Sequence, residues 1–206
     1  MKQVQVCIVG GGSVGLTLAL GLAKAGISVV VLDAAPKQTP PTDKYGMRVS
    51  ALSIASQTLL EQLNVWPHIV ALRASAYTHM DVRDADSFGK IAFNSEQLEL
   101  DHLGHIVEND IICYALVKEL EQQPNATLMF DTCYQQIHQS ESDVFVTLKS
   151  GEPIIAKLLV AADGANSAIR KQFNMALSFK DYDHHALVAT VKTQEPHANT
   201  ARQVFL

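Results

Sequence analysis

Residues Val4 to Asp33, VQVCIVGGGSVGLTLALGLAKAGISVVVLD, constrain this chain more than any other stretch. The apolar run Val4–Val9 stops at Gly10-Gly11-Gly12-Ser13-Val14-Gly15, a helical pattern follows to Ala25, and a second apolar run, Ile27–Leu32, ends on Asp33. Strand, glycine turn, helix, strand and acid in that order form a nucleotide-binding βαβ unit. Each glycine has a physical task. Gly10 permits a tight turn off the strand, and Gly12 lets backbone approach a pyrophosphate with no Cβ in the way. Gly15 lets the helix pack closely on the sheet. The helix start offers unpaired N–H groups and the positive end of its dipole to phosphates. Asp33 stands where it can accept hydrogen bonds from a ribose.

Two rival readings of this segment fail. A secretory leader would fit Lys2 and the apolar run, but the glycine turn and a β-branched strand straight afterwards do not suit one. A membrane-spanning helix would have to hold that turn in lipid. The expectation is a chain without an integral membrane segment.

A length of 206 residues allows one or two domains. The net charge of −5, with no basic run, gives no support for a nucleic-acid partner. Cys7, Cys113 and Cys133 are odd in number and far apart, which indicates neither a zinc site nor a dithiol centre. Buried reduced thiols of a cytoplasmic protein are expected. His102 and His105, and the pair His184-His185, lack the partners of a metal site and read as solvated or capping side chains.

Further along, Ala34 to Gly46 holds three prolines and reads as a loop. Ser50 is expected to cap a helix through Leu63, with Leu52, Leu59, Leu60 and Leu63 on its apolar side and Trp66-Pro67 closing it. Ser75–Arg83 and Lys90–Phe93 form a hairpin. Leu103–Val107 leads to Asn109, the expected N-cap of a helix from Asp110 to about Gln122. Thr127–Phe130 should be a strand parallel to the first two. Gln135–Gln139, Val144–Lys149 and Ile154–Val160 should form an antiparallel meander. Ala186–Val191 is expected to be a strand, and Val204–Leu206 to begin another.

The last meander strand runs into a second motif, Val160–Arg170, VAADGANSAIR. Gly164 permits close backbone approach, Ser167 can cap the short helix that follows, and Asp163 and Arg170 supply opposite charges. Read by itself it is equally a β–α turn with a surface ion pair.

With both motifs present, the sequence resembles the FAD-dependent aromatic hydroxylases of the para-hydroxybenzoate hydroxylase type, which carry GxGxxG near the start and DGxxSxxR later. Within that group it is similar to the ubiquinone-biosynthesis hydroxylases, through Arg48–Ser56, Arg73–Phe88, Leu103–Asn109 and Tyr182–Phe205. The likeness is greatest to members acting on a 2-polyprenylphenol at C5 of the ring. The resemblance implies an α/β fold: a Rossmann-like FAD-binding domain with a β-meander and part of a mixed or antiparallel substrate-domain sheet. The FAD domain would comprise residues 1–73 and 104–177, and the partial substrate domain 74–103 and 178–206.

For particular residues the resemblance implies that Gly10, Gly12, Gly15 and Asp33 hold the ADP part of FAD. Arg48 and Asn109 would lie near the pyrophosphate or ribityl chain. Asp163 would touch the same region, with Ser167 and Arg170 supporting its turn. NAD(P)H would reduce the flavin, O₂ would add to give a C4a-hydroperoxide, and one oxygen would pass to the phenol. The substrate walls would be the hairpin Thr78–Phe93 and the strand Ala186–Val191, and no catalytic side chain is identified. A multi-enzyme ubiquinone-biosynthesis assembly, peripheral to the inner membrane, is the implied setting. Two departures stand out. Asp33 replaces the usual Glu, and the family's later Gly-Asp segment is missing, which implies an N-terminal portion of a longer protein. A flavin or NAD oxidoreductase working by hydride transfer, and a non-catalytic nucleotide-binding fragment, are the competing readings.

Overall fold

The structure, a computed structural model, describes residues 2–206. The chain divides into two compact units, the first running to Pro40 and again from Cys113 to Ala186, the second covering Pro41–Ile112 and Leu187–Leu206.

In the first unit, β1 (Lys2–Val9), α1 (Ser13–Lys24) and β2 (Val29–Leu32) form the expected βαβ. Val29 to Leu32 are all buried, as a strand covered on both faces requires. In the second unit, β3 (Val49–Ser53) leads into α2 (Ile54–Gln62) and α3 (Trp66–Leu72). There follow β4 (Ser75–Tyr77), β5 (His79–Asp84), β6 (Lys90–Asn94), a 3₁₀ turn (Glu96–Leu98) and β7 (Gly104–Glu108). Helix α4 (Asn109–Leu120) spans the boundary. β8 (Ala126–Met129), β9 (Tyr134–Gln139), β10 (Val144–Leu148), β11 (Pro153–Ala161) and α5 (Ala168–Gln172) complete the first unit, and β12 (Thr200–Phe205) belongs to the second.

The sheet of the first unit has the order β8-β2-β1-β11-β10-β9. β1, β2, β8 and β11 are parallel, and β10 and β9 return antiparallel as the meander. The expected parallel third strand is therefore present, and the meander's last strand joins the nucleotide-binding sheet directly beside β1. Its core includes Cys7, Val30, Val146, Leu148 and Ile154, with Ile169 of α5 packed in.

The second unit carries two three-stranded sheets. One, β3-β7-β4, is antiparallel. The other, β12-β5-β6, is mixed, since β12 runs parallel to β5 and β6 antiparallel to it. The β5–β6 turn is built as anticipated, with Asp84 accepting from the Asp86 N–H at 3.0 Å and from the Ser87 hydroxyl at 2.9 Å.

Several local expectations are corrected. Ser50 lies in β3, and the cap of α2 is Ser53, whose hydroxyl accepts from the Ser56 N–H. Residues 49–53 carry exposed and half-buried side chains alternately, which is strand periodicity that the leucine spacing masked. Leu59 is exposed. Trp66-Pro67 opens α3 instead of ending a helix, because a first-turn proline has no hydrogen bond to lose. Ser75–Arg83 is broken at Thr78 into two strands in different sheets. Asn109 is the first residue of α4, not a residue before it. Ala186–Val191 has no strand partner and no regular structure; Leu187 and Val191 are exposed. Cys7 and Cys113 are buried as expected, but Cys133 is only half-buried.

Candidate nucleotide-binding groove

Four parallel strands end at the same edge of the first sheet. Gly10 follows β1, Asp33 follows β2, Thr132 and Cys133 come after β8, and Ala162-Asp163 follow β11. Strand order reverses at β1, the position where parallel α/β sheets place ligands. A groove of about 580 Å³ opens there, lined among others by Gly10, Gly12, Asp33, Tyr134, Lys149 and Asp163.

The glycines divide this work. Gly10 has φ +113°, and a Cβ built on it would lie 2.2 Å from the Ala162 carbonyl oxygen. The end of β1 and the turn after β11 thus meet backbone to backbone, with no room for a side chain. Gly15 is equally confined, with its Cβ position 2.0 Å from the Gly10 carbonyl oxygen. Its close approach is to the turn itself, a tighter contact than helix against sheet. Gly12 differs from both. It is the N-cap of α1, it is exposed, and a Cβ there would meet nothing within 4 Å. No side chain caps α1 and no acid lies in its first turn, so its leading N–H groups are left for a ligand.

Asp33 is held by the loop that it faces. Its Oδ2 accepts from the Gly11 N–H, and its Oδ1 accepts from the Ala35 N–H at 2.7 Å. The carboxylate therefore fixes the glycine turn relative to the end of β2. Both oxygens keep acceptor capacity for a ribose hydroxyl.

The Asp163 turn is built in a similar way. Asp163 Oδ2 accepts from the N–H groups of Ala168 at 2.9 Å and Ile169 at 3.3 Å, at the start of α5. Burial works to raise its pKa, but the Ser167 hydroxyl and these backbone N–H groups outweigh it and hold the carboxyl below the ordinary range. Its Oδ1 is buried with no hydrogen-bond partner. Ser167 caps α5, accepting from the Arg170 N–H at 2.9 Å. Arg170 does not pair with Asp163; its guanidinium donates to the Ala165 carbonyl at 2.7 Å and braces the turn. The surface ion pair of the alternative reading is absent, and a backbone clamp stands in its place.

Tyr134 and Lys149, which also line the groove, were not singled out from the sequence, and Cys133 was read there only as a buried thiol. Burial, and then the nearby Asp163 charge, push the Tyr134 phenol up. The signal was available: once residues 127–130 are read as a parallel strand beside β2, the segment after it must reach the same edge.

Arg48 and Asn109 belong to the second unit. The Arg48 side chain is exposed, while its carbonyl accepts from the Asn109 N–H at 3.0 Å. Asn109 Oδ1 accepts from the Ser50 hydroxyl at 2.6 Å. Directly before Asn109, Glu108 is buried and receives a forked ion pair from Arg73, with Nε at 2.7 Å from Oε2 and Nη2 at 3.2 Å from Oε1. Neither residue of this pair was picked out from the sequence. A separation of 35 residues leaves no motif to find.

A family model described as an FAD binding domain matches residues 3–205. The 3-demethoxyubiquinol 3-hydroxylase of Escherichia coli K12 is 33% identical over 205 residues, which cover 99% of this chain and 52% of that protein. The mitochondrial ubiquinone biosynthesis monooxygenase COQ6 of Danio rerio is 36% identical over 217 residues, 98% of this chain and 45% of its own. The chain spans about half the length of these curated relatives. Among solved structures, p-nitrophenol 4-monooxygenase PnpA from Pseudomonas putida DLL-E4 superposes with a TM-score of 0.69 at 25% identity, over 84% of this chain and 44% of that one. PqsL of P. aeruginosa in complex with 2-aminobenzoylacetate gives 0.73 at 18% identity, over 88% and 48%, and shows a shared fold.

Proposed function

The chain belongs to the FAD binding domain family, and from that premise we propose that its groove holds FAD and that the protein is a monooxygenase hydroxylating the ring of a polyprenylphenol in ubiquinone biosynthesis. The observation that carries the reading is the contact of Gly10 with Ala162. It makes two motifs some 150 residues apart in sequence (Gly10 and Asp163) into walls of one groove.

The groove's chemistry fits the cofactor. The open Cβ position at Gly12 and the uncapped start of α1 suit a pyrophosphate, which needs close backbone and N–H donors. The unpartnered Asp163 Oδ1 suits a hydroxyl donor such as a ribityl or ribose O–H. Asp33 takes the adenosine ribose while holding Gly11, and Gly15 seats α1 against the turn. Ser167 and Arg170 keep the Asp163 carboxylate aimed. Arg48 and Asn109 are assigned to the pyrophosphate or ribityl chain by resemblance. We assign residues 1–73 and 104–177 to the cofactor domain, and 74–103 with 178–206 to substrate.

When bound, FAD supplies the redox chemistry that inserts one oxygen atom of O₂ into the ring at the expense of NAD(P)H. The protein's part is to hold the flavin, orient the phenol and exclude water. Among the described residues no helix is long and apolar enough to cross a membrane. We place the protein peripherally, meeting its apolar substrate at a membrane surface or within a biosynthetic assembly.

The test has two stages. Purified protein incubated with FAD and desalted should retain flavin absorbance; a colourless product counts against the groove. The flavin-loaded protein, given NAD(P)H, a polyprenylphenol and isotopically labelled O₂, should place one labelled oxygen on the ring. NAD(P)H consumption with no label in the product would instead favour hydride transfer.

A further inference from the structure

The β3-β7-β4 sheet of the second unit has two unlike faces. Val49 pairs with Glu108 and Ser75 with Ile106 in its ladders, and residues two apart share a face, so these four stand on the same side. His105 falls on the other side, where it meets Trp66 of α3. The first face is left to segment 42–46, which has neither helix nor strand. Between that segment and the sheet lies a cavity of about 330 Å³, and its whole lining comes from the second unit. Val49 and Ile106 give it apolar walls, while Tyr45 and Ser75 bring hydroxyls.

Apolar packing would have closed such a gap. A clasp of charge holds it open. Arg73, at the C-terminal end of α3, donates through Nη1 to the Thr42 carbonyl at 2.8 Å and through Nη2 to the Lys44 carbonyl at 3.2 Å. The Tyr45 ring lies 5.0 Å from its guanidinium carbon. The same guanidinium forks onto Glu108, and Glu108 Oε1 accepts the Gly46 N–H. A buried carboxylate is costly unless its lone pairs are satisfied, and the groups that satisfy Glu108 are those that fix the segment over the cavity.

We propose that this cavity seats the phenol: it takes one aromatic ring that carries a hydroxyl. Small-molecule sites are mostly apolar with a few convergent polar groups, which is the division between Val49 with Ile106 and Tyr45 with Ser75. Among the described residues no hydrogen bond takes up the Tyr45 or the Ser75 hydroxyl, and each can donate to or accept from a phenolic oxygen. Size sets the class. About 150 Å³ is enough for benzene, so the cavity holds a single substituted ring and leaves a polyprenyl tail outside. The proposal deepens the functional reading above and rests on it for the identity of the ligand.

The test titrates the full chain with para-fluorophenol and with fluorobenzene, followed by fluorine NMR. Wild type should bind the phenol about fivefold more tightly, the worth of one good hydrogen bond. Val49→Trp fills the cavity from an exposed position and should weaken both probes by about tenfold or more. The double variant Tyr45→Phe with Ser75→Ala removes one oxygen from each of two exposed side chains and should bring the phenol to the level of fluorobenzene. Equal affinities of the two probes in wild type would overturn the proposal, as would phenol binding that neither variant alters. FAD retention is measured on the same samples. A chain that keeps FAD but binds neither probe overturns the site and leaves the functional reading standing. One that binds the phenol in this cavity but keeps no flavin supports the site and overturns that reading.

Discussion

The groove of the first unit and the clasp of the second achieve rigidity by opposite means. In the groove, position is set by backbone meeting backbone, with Gly10 against Ala162 and Gly15 against Gly10, at separations that exclude even a methyl group. In the clasp, position is set by one buried carboxylate and one guanidinium that reach over to a segment lacking regular structure. A backbone device tolerates no substitution at its contact points, but it needs no particular charge state. A charged device is released by altering a single side chain, and it weakens when its carboxylate is protonated. Arg73, and to a smaller extent the Gly46 N–H, hold the Glu108 carboxyl below its ordinary range against the opposing effect of burial. Its contribution is therefore complete above the unfolded carboxylate pKa and lost as pH falls through the lower folded value.

The contrast predicts its largest effect at Gly10. Gly10→Ala forces a side chain into φ +113° and onto the Ala162 carbonyl, and should cost about 3 kcal/mol or more of stability. Thermal unfolding and flavin retention should both suffer. A protein of normal Tm carrying Gly10→Ala would show that the β1–β11 junction is softer than its geometry requires.

Gly12→Val sharpens the comparison within the groove itself. A Cβ there meets nothing within 4 Å, so the cost to stability should be only that of a poorer N-cap residue, about 1 kcal/mol and well below that of Gly10→Ala. Flavin binding should nonetheless be lost, since the side chain fills the space assigned to the pyrophosphate. The two substitutions separate a glycine kept for the fold from a glycine kept for a ligand. Retained flavin in Gly12→Val would move the phosphate site elsewhere.

This division also governs what could be read from the chain. Gly10, Gly12, Gly15 and Asp33 were legible because a backbone device writes itself as a fixed local spacing, and Asp163, Ser167 and Arg170 for the same reason. The parallel strand at 126–129 and the meander followed from periodicity and turn residues. Arg73 and Glu108 were not legible, because each becomes meaningful only when β3, β7 and the C-terminal end of α3 are assembled. Residues 49–53 were misassigned since Leu52, Leu59, Leu60 and Leu63 fit a helical spacing while Ser53 provides the actual stop. Ala186–Val191 has strand composition, but composition cannot supply the neighbour that a strand needs, and among the described residues none pairs with it.

The smallest effect concerns a third kind of site, where neither backbone closeness nor a satisfied charge sets the position. His105 of β7 lies with its ring edge-on to Trp66 at 4.9 Å and to His102 at 4.4 Å, and its buried Nδ1 has no partner. His102 is itself held by Gln57 at 2.8 Å. Burial, and then the neighbouring His102, lower the His105 pKa, with Glu61 opposing. The unfolded chain therefore takes up the proton first as pH falls. The contribution to stability is complete above the ordinary histidine value of about 6.5 and is lost between that value and the lower folded one. Acidification from neutral pH through this window should lower Tm by roughly one or two degrees, and His105→Phe, which keeps the aromatic contact with Trp66, should remove that part of the slope. If the Tm of His105→Phe followed pH as steeply as wild type across this window, the slope would not belong to His105; the carboxylates of the clasp and the Asp163 turn contribute only at lower pH.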